Sequence, residues 1–144
     1  MRVTVRVQRL HIDAKLPTYA HSGPGGDLCA DLYCVEAKQL HPREVAQFHT
    51  GIAVQLPEGY GALVEQRSGL ALRGIIPVAG VIDAGYRGEI LVLLANVGDA
   101  EVTIAKGDRI AQMRVVKRLE VNFELADSLT DSARSDRGFG SSGE

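Results

Sequence analysis

The chain has no tryptophan, only two cysteines and four histidines, and no apolar run that nears the length of a membrane span. Each shortage closes off a class of function. Two thiols, Cys29 and Cys34, without a third or fourth ligand nearby cannot close a structural zinc site. They read as packed, reduced thiols of a reducing compartment. His11, His21, His41 and His49 show no spacing that places two of them on one helix face. With 16 basic and 18 acidic residues the formal net charge is −2, which argues against a strongly basic nucleic-acid binder. The opening stretch alternates Val3, Val5 and Val7 with Arg2, Thr4 and Arg6. That is the pattern of a half-buried strand; a signal peptide needs a continuous apolar segment. The expectation is a cytoplasmic protein with neither nucleic acid nor membrane as partner.

What is present is a globular composition. Of 144 residues 45% are hydrophobic, enough for one domain that buries roughly two thirds of its unfolded surface. Strand-like runs recur at residues 3–7, 45–48, 51–56, 62–66, 75–78, 90–95, 102–104, 110–116 and 119–125. Turn signals such as Pro57-Glu58-Gly59 and Lys106-Gly107-Asp108 separate them. Residues 90–94 are apolar at every position, as in a strand covered on both faces. No segment has a long helical period; residues 68–72 can form a turn or two of helix with Ser68 as cap. The fold class is all-β, a sandwich or barrel. A body over residues 1–126 is followed by a polar tail, 127–144, that keeps only Leu129 and Phe139 to bury. Such a tail is expected to be mobile, as a frayed terminus or as a closing flap.

The stretch from Gly80 to Gly88, Gly-Val-Ile-Asp-Ala-Gly-Tyr-Arg-Gly, puts a carboxylate and a flat ring in a glycine-rich turn. Asp83 emerges where a strand gives way to loop, and Tyr86 follows. Alone, the stretch reads equally as a polar hairpin tip or as a pocket for a small polar ligand.

Five segments taken together resemble the ordered motifs of the homotrimeric dUTP diphosphatase (dUTPase) family. They are Gly25-Gly26-Asp27-Leu28, Arg67-Ser68-Gly69-Leu70, Gly80 to Gly88, Gly107-Asp108-Arg109-Ile110-Ala111-Gln112, and the tail from Arg134 to Gly143. The resemblance covers almost the whole chain. It implies a jelly-roll-like fold, a homotrimer with shared active sites, and Mg²⁺-dependent hydrolysis of dUTP to dUMP and pyrophosphate, limiting uracil in DNA and supplying dUMP for thymidylate synthesis.

By that resemblance Asp83 is the catalytic carboxylate, aiming water at the α-phosphorus. Arg67 grips the terminal phosphates, Ser68 and the backbone near Gly69 donate near the scissile bond, and Gln112 is an uncharged donor to a phosphate oxygen or the attacking water. Asp27 holds the metal through coordinated water, which suits an ion that keeps several waters. From the residues alone Asp27 reads nearly as well as a carboxylate satisfying backbone N–H groups after a Gly-Gly turn. The backbone from Val78 to Val81, with Gly80 and Val81 at its centre, reads uracil. Tyr86 packs on the deoxyribose, Arg134 contacts phosphates and Phe139 caps the base. The stretch from Leu125 to Phe139 reaches at most about 50 Å, and a domain of this size has a radius of gyration near 15 Å. The tail is long enough to cross onto a neighbour. Arg109 reads as an ion pair with Asp108 or another carboxylate.

Some positions depart from the family pattern. Gln66 stands where proline is usual, Gly26 where a larger residue is usual, and Ser135 and Arg137 where glycine is usual. Two rivals remain at this stage. A dCTP deaminase shares the fold but uses a second serine where Gly69 stands and a glutamate where Leu93 stands. A nucleotide-sensing protein would keep the pocket without turnover.

Overall fold

A computed structural model describes residues 2–140. Met1 and residues 141–144, with the Gly143 that closes the last motif, lie outside the described residues. The chain forms β1 (Arg6–Arg9), β2 (Ala30–Tyr33), β3 (Lys38–Leu40), β4 (Val45–Gln55), β5 (Tyr60–Glu65), α1 (Ser68–Leu72), β6 (Ile75–Pro77), β7 (Val81–Ile82), β8 (Glu89–Asn96), β9 (Val102–Ile104) and β10 (Arg109–Lys117). No helix is long and apolar enough to cross a membrane.

The strands pair antiparallel into two four-stranded sheets, β1-β4-β8-β6 and β2-β10-β5-β7, with β3-β9 as a separate ladder. Period-2 alternation decides which side chains turn inward. Phe48, Ile90, Val92 and Leu94 of the first sheet meet Leu32, Ala62, Ile82 and Met113 of the second in one core. This is the all-β sandwich that the run spacing predicts, and it is jelly-roll-like as the family resemblance implies.

Several elements differ from the sequence expectation. The first strand pairs through Arg6–Arg9 rather than 3–7, because its partner on β4 is the segment from Ile52 to Gln55. The runs 45–48 and 51–56 are one strand, β4, whose pairing with β8 shifts register between His49 and Ala53. Short strands β2 and β3 were not evident, since four and three residues give too little alternation to register. The cap of α1 is Arg67 with no side-chain hydrogen bond, so Ser68 is the first helical residue and its hydroxyl is not spent on capping.

Strand β8 is covered by this chain on one face only. Ile90, Val92 and Leu94 are buried, while Leu91 on the other face stays 38% exposed. Residues 119–125 form no strand, although Leu119, Val121, Phe123 and Leu125 alternate; all four are exposed. A period-2 pattern makes a strand only where a partner edge is free to receive it.

Asn96 closes the end of β8 and is 1% exposed. Its Nδ2 donates to Leu40 O (2.9 Å) and Ala100 O (2.8 Å), and its Oδ1 accepts Gly98 N–H (3.0 Å). Asn96→Ala is expected to lower stability by about 2–4 kcal/mol through these orphaned groups. Urea unfolding monitored by circular dichroism measures it, and a loss below about 0.5 kcal/mol would contradict the assigned role.

Candidate active site

Strand β10 lies between β2 and β5, and its Gln112 pairs with Asp31 on one side and Glu65 on the other. Directly paired residues share a face, so these three polar side chains line up across the sheet, away from the core residues Ala111 and Met113. The chain leaving β5 then carries Arg67 and Ser68 over this row. The result is a cavity of about 500 Å³ lined by Asp27, Asp31, Glu65, Arg67, Ser68, Arg109 and Gln112 among others.

Asp31 is the buried charge of this cavity. Its Oδ1 accepts from Arg67 Nε (3.0 Å) and its Oδ2 from Arg109 (3.5 Å), with only 12% of its side chain exposed. Arg67 also donates to Arg109 O at 3.4 Å. One carboxylate thus faces two guanidiniums, with the Arg67 fork fixed before any anion arrives. Gln112 Nε2 donates to Gln66 O (2.8 Å) and so ties the segment that enters α1 to β10. Asp31 was not singled out from the sequence. The partner of Arg109 is Asp31, not Asp108, whose Oδ2 accepts Ala105 N–H (2.8 Å).

Asp27 sits at the rim. Its Oδ2 accepts His21 N–H (2.8 Å) and its Oδ1 lies 3.2 Å from His21 Nδ1. The backbone bond from His21, with the imidazole beside it, holds the Asp27 carboxyl below the usual carboxylate range. Gly26 owes its place to this loop, because a Cβ there would lie 2.6 Å from His21 O. Among the described residues no three acidic, His or Cys side chains gather to hold an ion directly. The donor set fits a hydrated Mg²⁺ instead: an ionised carboxylate at the rim can accept from its waters, and its other ligands come from phosphate. Cys29 shares the cavity wall, and burial pushes its thiol up, so it stays protonated at neutral pH.

Asp83 belongs to a different cavity. That space, about 810 Å³, is lined by Tyr60 to Leu63 of β5, by Val81 to Gly85, and by Arg118. Gly80 is placed by contact with β5: its carbonyl accepts Val64 N–H (2.7 Å), and a Cβ would lie 2.4 Å from Val64 O. Val78 N–H is given to Leu93 O (2.9 Å), which removes it from the donors available to a base. Tyr86 is half exposed, its hydroxyl donating to Glu89 O (2.7 Å). Arg87 braces the loop through Ala84 O (2.7 Å). Arg118, also missed in the sequence, stands close enough to Asp83 to feel its charge, although its main partner is Glu120 (2.7 Å). Arg118 carries no local spacing signal in the sequence.

The two cavities do not merge within one chain. Ala62 pairs with Ile82, next to Asp83, and the chain from Ala62 to Arg67 runs on the order of 15 Å when extended. Arg134 and Phe139 reach neither cavity. Arg134 Nε donates to Arg137 O (2.6 Å), Arg137 Nε returns a bond to Arg134 O (3.0 Å), and Phe139 is fully exposed.

Residues 13–143 match the family model described as dUTPase. The chain belongs to the dUTPase family. It is 47% identical to the deoxyuridine 5'-triphosphate nucleotidohydrolase of Solibacter usitatus (strain Ellin6076), over 99% of this chain and 97% of that one. It is 48% identical to the protein of that name from Hydrogenobaculum sp. (strain Y04AAS1), over 95% of this chain and 96% of the other. Among solved structures it superposes on Staphylococcus bacteriophage 80alpha dUTPase with dUPNHPP at a TM-score of 0.86 and 28% identity, covering 98% of this chain and 99% of that one. As a dUTPase it is an enzyme, a nucleotide hydrolase.

Asp31→Asn leaves the volume but removes the charge that orients Arg67, so KM for dUTP is expected to rise about tenfold or more. Steady-state pyrophosphate release measures it; an unchanged KM would detach Asp31 from the site.

Proposed function

We propose that this chain hydrolyses dUTP to dUMP and pyrophosphate at sites that no single chain completes. The observation that carries the reading is the separation of Asp83 from Arg67, Ser68 and Gln112 on opposite ends of β5. A homotrimer with shared sites brings the Asp83 end of one chain against the Arg67 end of another. The open outer face of β8 and the exposed apolar residues of 119–125 support an assembly that covers them.

The residues then divide the work. Arg67, Ser68, the backbone at Gly69 and one N–H of Gln112 hold the triphosphate, a highly anionic chain that needs cations and fixed donors. Asp27 would hold Mg²⁺ through coordinated water, and the ion would supply charge neutralisation for the phosphates. Asp83 orients a water and takes its proton as the oxygen attacks the α-phosphorus. The bond from that phosphorus to the bridging oxygen breaks, and pyrophosphate leaves. Gly80, Val81 and the adjoining backbone read uracil. A cytosine amino group would meet a donor where an acceptor is required, at about 1–3 kcal/mol per unpaired group. Tyr86 lies on the deoxyribose where a 2′-hydroxyl would find no room. Residues 127–144 act as the arm that brings Arg134 and Phe139 over the bound nucleotide.

The deaminase reading lacks its proton carrier, because Leu93 is a hydrocarbon whose carbonyl is already bonded to Val78. A sensor without turnover is separated from the hydrolase by a direct assay of pyrophosphate release from dUTP.

Asp83→Asn is expected to lower kcat by at least about a thousandfold while dUTP still binds; retention of near-normal turnover would refute the assignment. The decisive form of the test mixes two inactive chains. Arg67→Ala and Asp83→Asn, co-assembled in equal amounts, are expected to recover about a quarter of the sites, since each chain supplies the half the other lacks. No recovery in mixed trimers would show that both halves act within one chain. Deleting residues after Ala133 is expected to cost about a hundredfold in kcat/KM with thermal unfolding of the body unchanged.

A further inference from the structure

Glu89 begins β8 immediately after the loop that carries Asp83 and Tyr86. On the β4 side of this point the ladder is interrupted: His49 pairs with Leu91 and Ala53 with Glu89, so β4 carries extra residues between them. The ladder is thus irregular between Glu89 and Leu91, and side chains bridge the gap. Glu89 Oε2 accepts Gly51 N–H (2.9 Å), and its two oxygens lie 3.0 and 3.1 Å from His49 Nδ1. Thr50 Oγ1 closes the same gap by donating to Ile90 O (2.6 Å).

The main chain of Glu89 does a second thing. Its carbonyl accepts the Tyr86 hydroxyl (2.7 Å), and the ring lies so close over Gly88 that a Cβ there would meet Tyr86 Oη at 2.5 Å. The ring is held between a residue with no side chain and the carbonyl of a residue whose carboxylate reaches into the β4 bulge.

We infer that Glu89 is a positioning residue for Tyr86, fixing the height of the ring against the sugar and so setting the preference for deoxyribose over ribose nucleotides. The inference rests on the role given to Tyr86 in the proposed function. Glu89 touches no substrate atom in this account. It acts through the bulge of β4 on one side and the phenol on the other.

Purified full-length enzyme is assayed for pyrophosphate release from dUTP and from UTP, and the quantity read is the ratio of the two kcat/KM values. Glu89→Ala is expected to lower that ratio about tenfold, chiefly by admitting UTP. Tyr86→Phe, which removes only the tether, is expected to match it. The double variant is expected to lose no more than either alone, because both break one path. Glu89→Gln still accepts Gly51 N–H and is expected to keep most of the preference. If Glu89→Ala does not fold, Glu89→Asp, one methylene too short for Gly51, gives the same readout. The control is Glu36→Gln: Glu36 accepts His49 N–H (2.9 Å) on the same bulge but has no route to Tyr86, so its ratio is expected to stay at wild type.

A ratio unchanged in both Glu89→Ala and Glu89→Asp would overturn the inference. So would additive losses in the double variant, or an equal loss in Glu36→Gln, which would signify general loosening. Wild-type enzyme inactive on dUTP would instead overturn the proposed function itself, and this inference with it.

Discussion

The stiffness of β5 governs the arrangement of everything functional in this chain. A paired strand cannot fold back on itself, and β5 is paired on both sides, to β10 and to β7. One of its ends delivers Arg67 and Ser68, and the other backs the loop of Asp83. Arg67 and Ser68 are thus held apart from Asp83 by the same hydrogen bonds that make the sheet. Under the proposed function a single copy carries two half-sites, which contact between copies would complete.

Within the cavity that Arg67 and Asp31 line, the arrangement is electrostatic and fixed in advance. Asp31 sits between Arg67 and Arg109, so neither guanidinium has to be ordered when a ligand arrives. Preorganisation of this kind reduces the entropy lost on binding. It also limits how strongly each arginine grips, because part of its charge is already answered. The short bond of Gln112 to Gln66 serves the same end by fixing the backbone that enters α1.

Much of this was legible in the amino-acid sequence, and the rest was hidden for identifiable reasons. The Gly80–Gly88 loop is contiguous, so a carboxylate, a ring and the glycines that permit close approach are read together. Arg67 and Ser68 are likewise neighbours. Asp31 was not legible, because in Ala30-Asp31-Leu32 it looks like the polar half of an alternation. Its meaning appears only when Arg67 and Arg109 arrive from distant parts of the chain, 36 and 78 residues away. The reach of Glu89 to the β4 bulge is hidden in the same way. Residues 119–125 show the converse error, where pattern alone predicts a strand that pairs with no edge of this chain.

The small ring of bonds at residues 134–137 has a consequence of its own. Arg134 and Arg137 each donate to the other's carbonyl, and Ser135 accepts a left-handed φ of 54° to allow it. A segment whose hydrogen bonds, among the described residues, all stay within itself therefore carries a ready-made hook. Docking over a bound nucleotide would not start from a random coil; it would start by unlatching one guanidinium. A serine in a conformation that favours glycine makes that latch spring-loaded, so the geometry that stores the hook also weakens its hold.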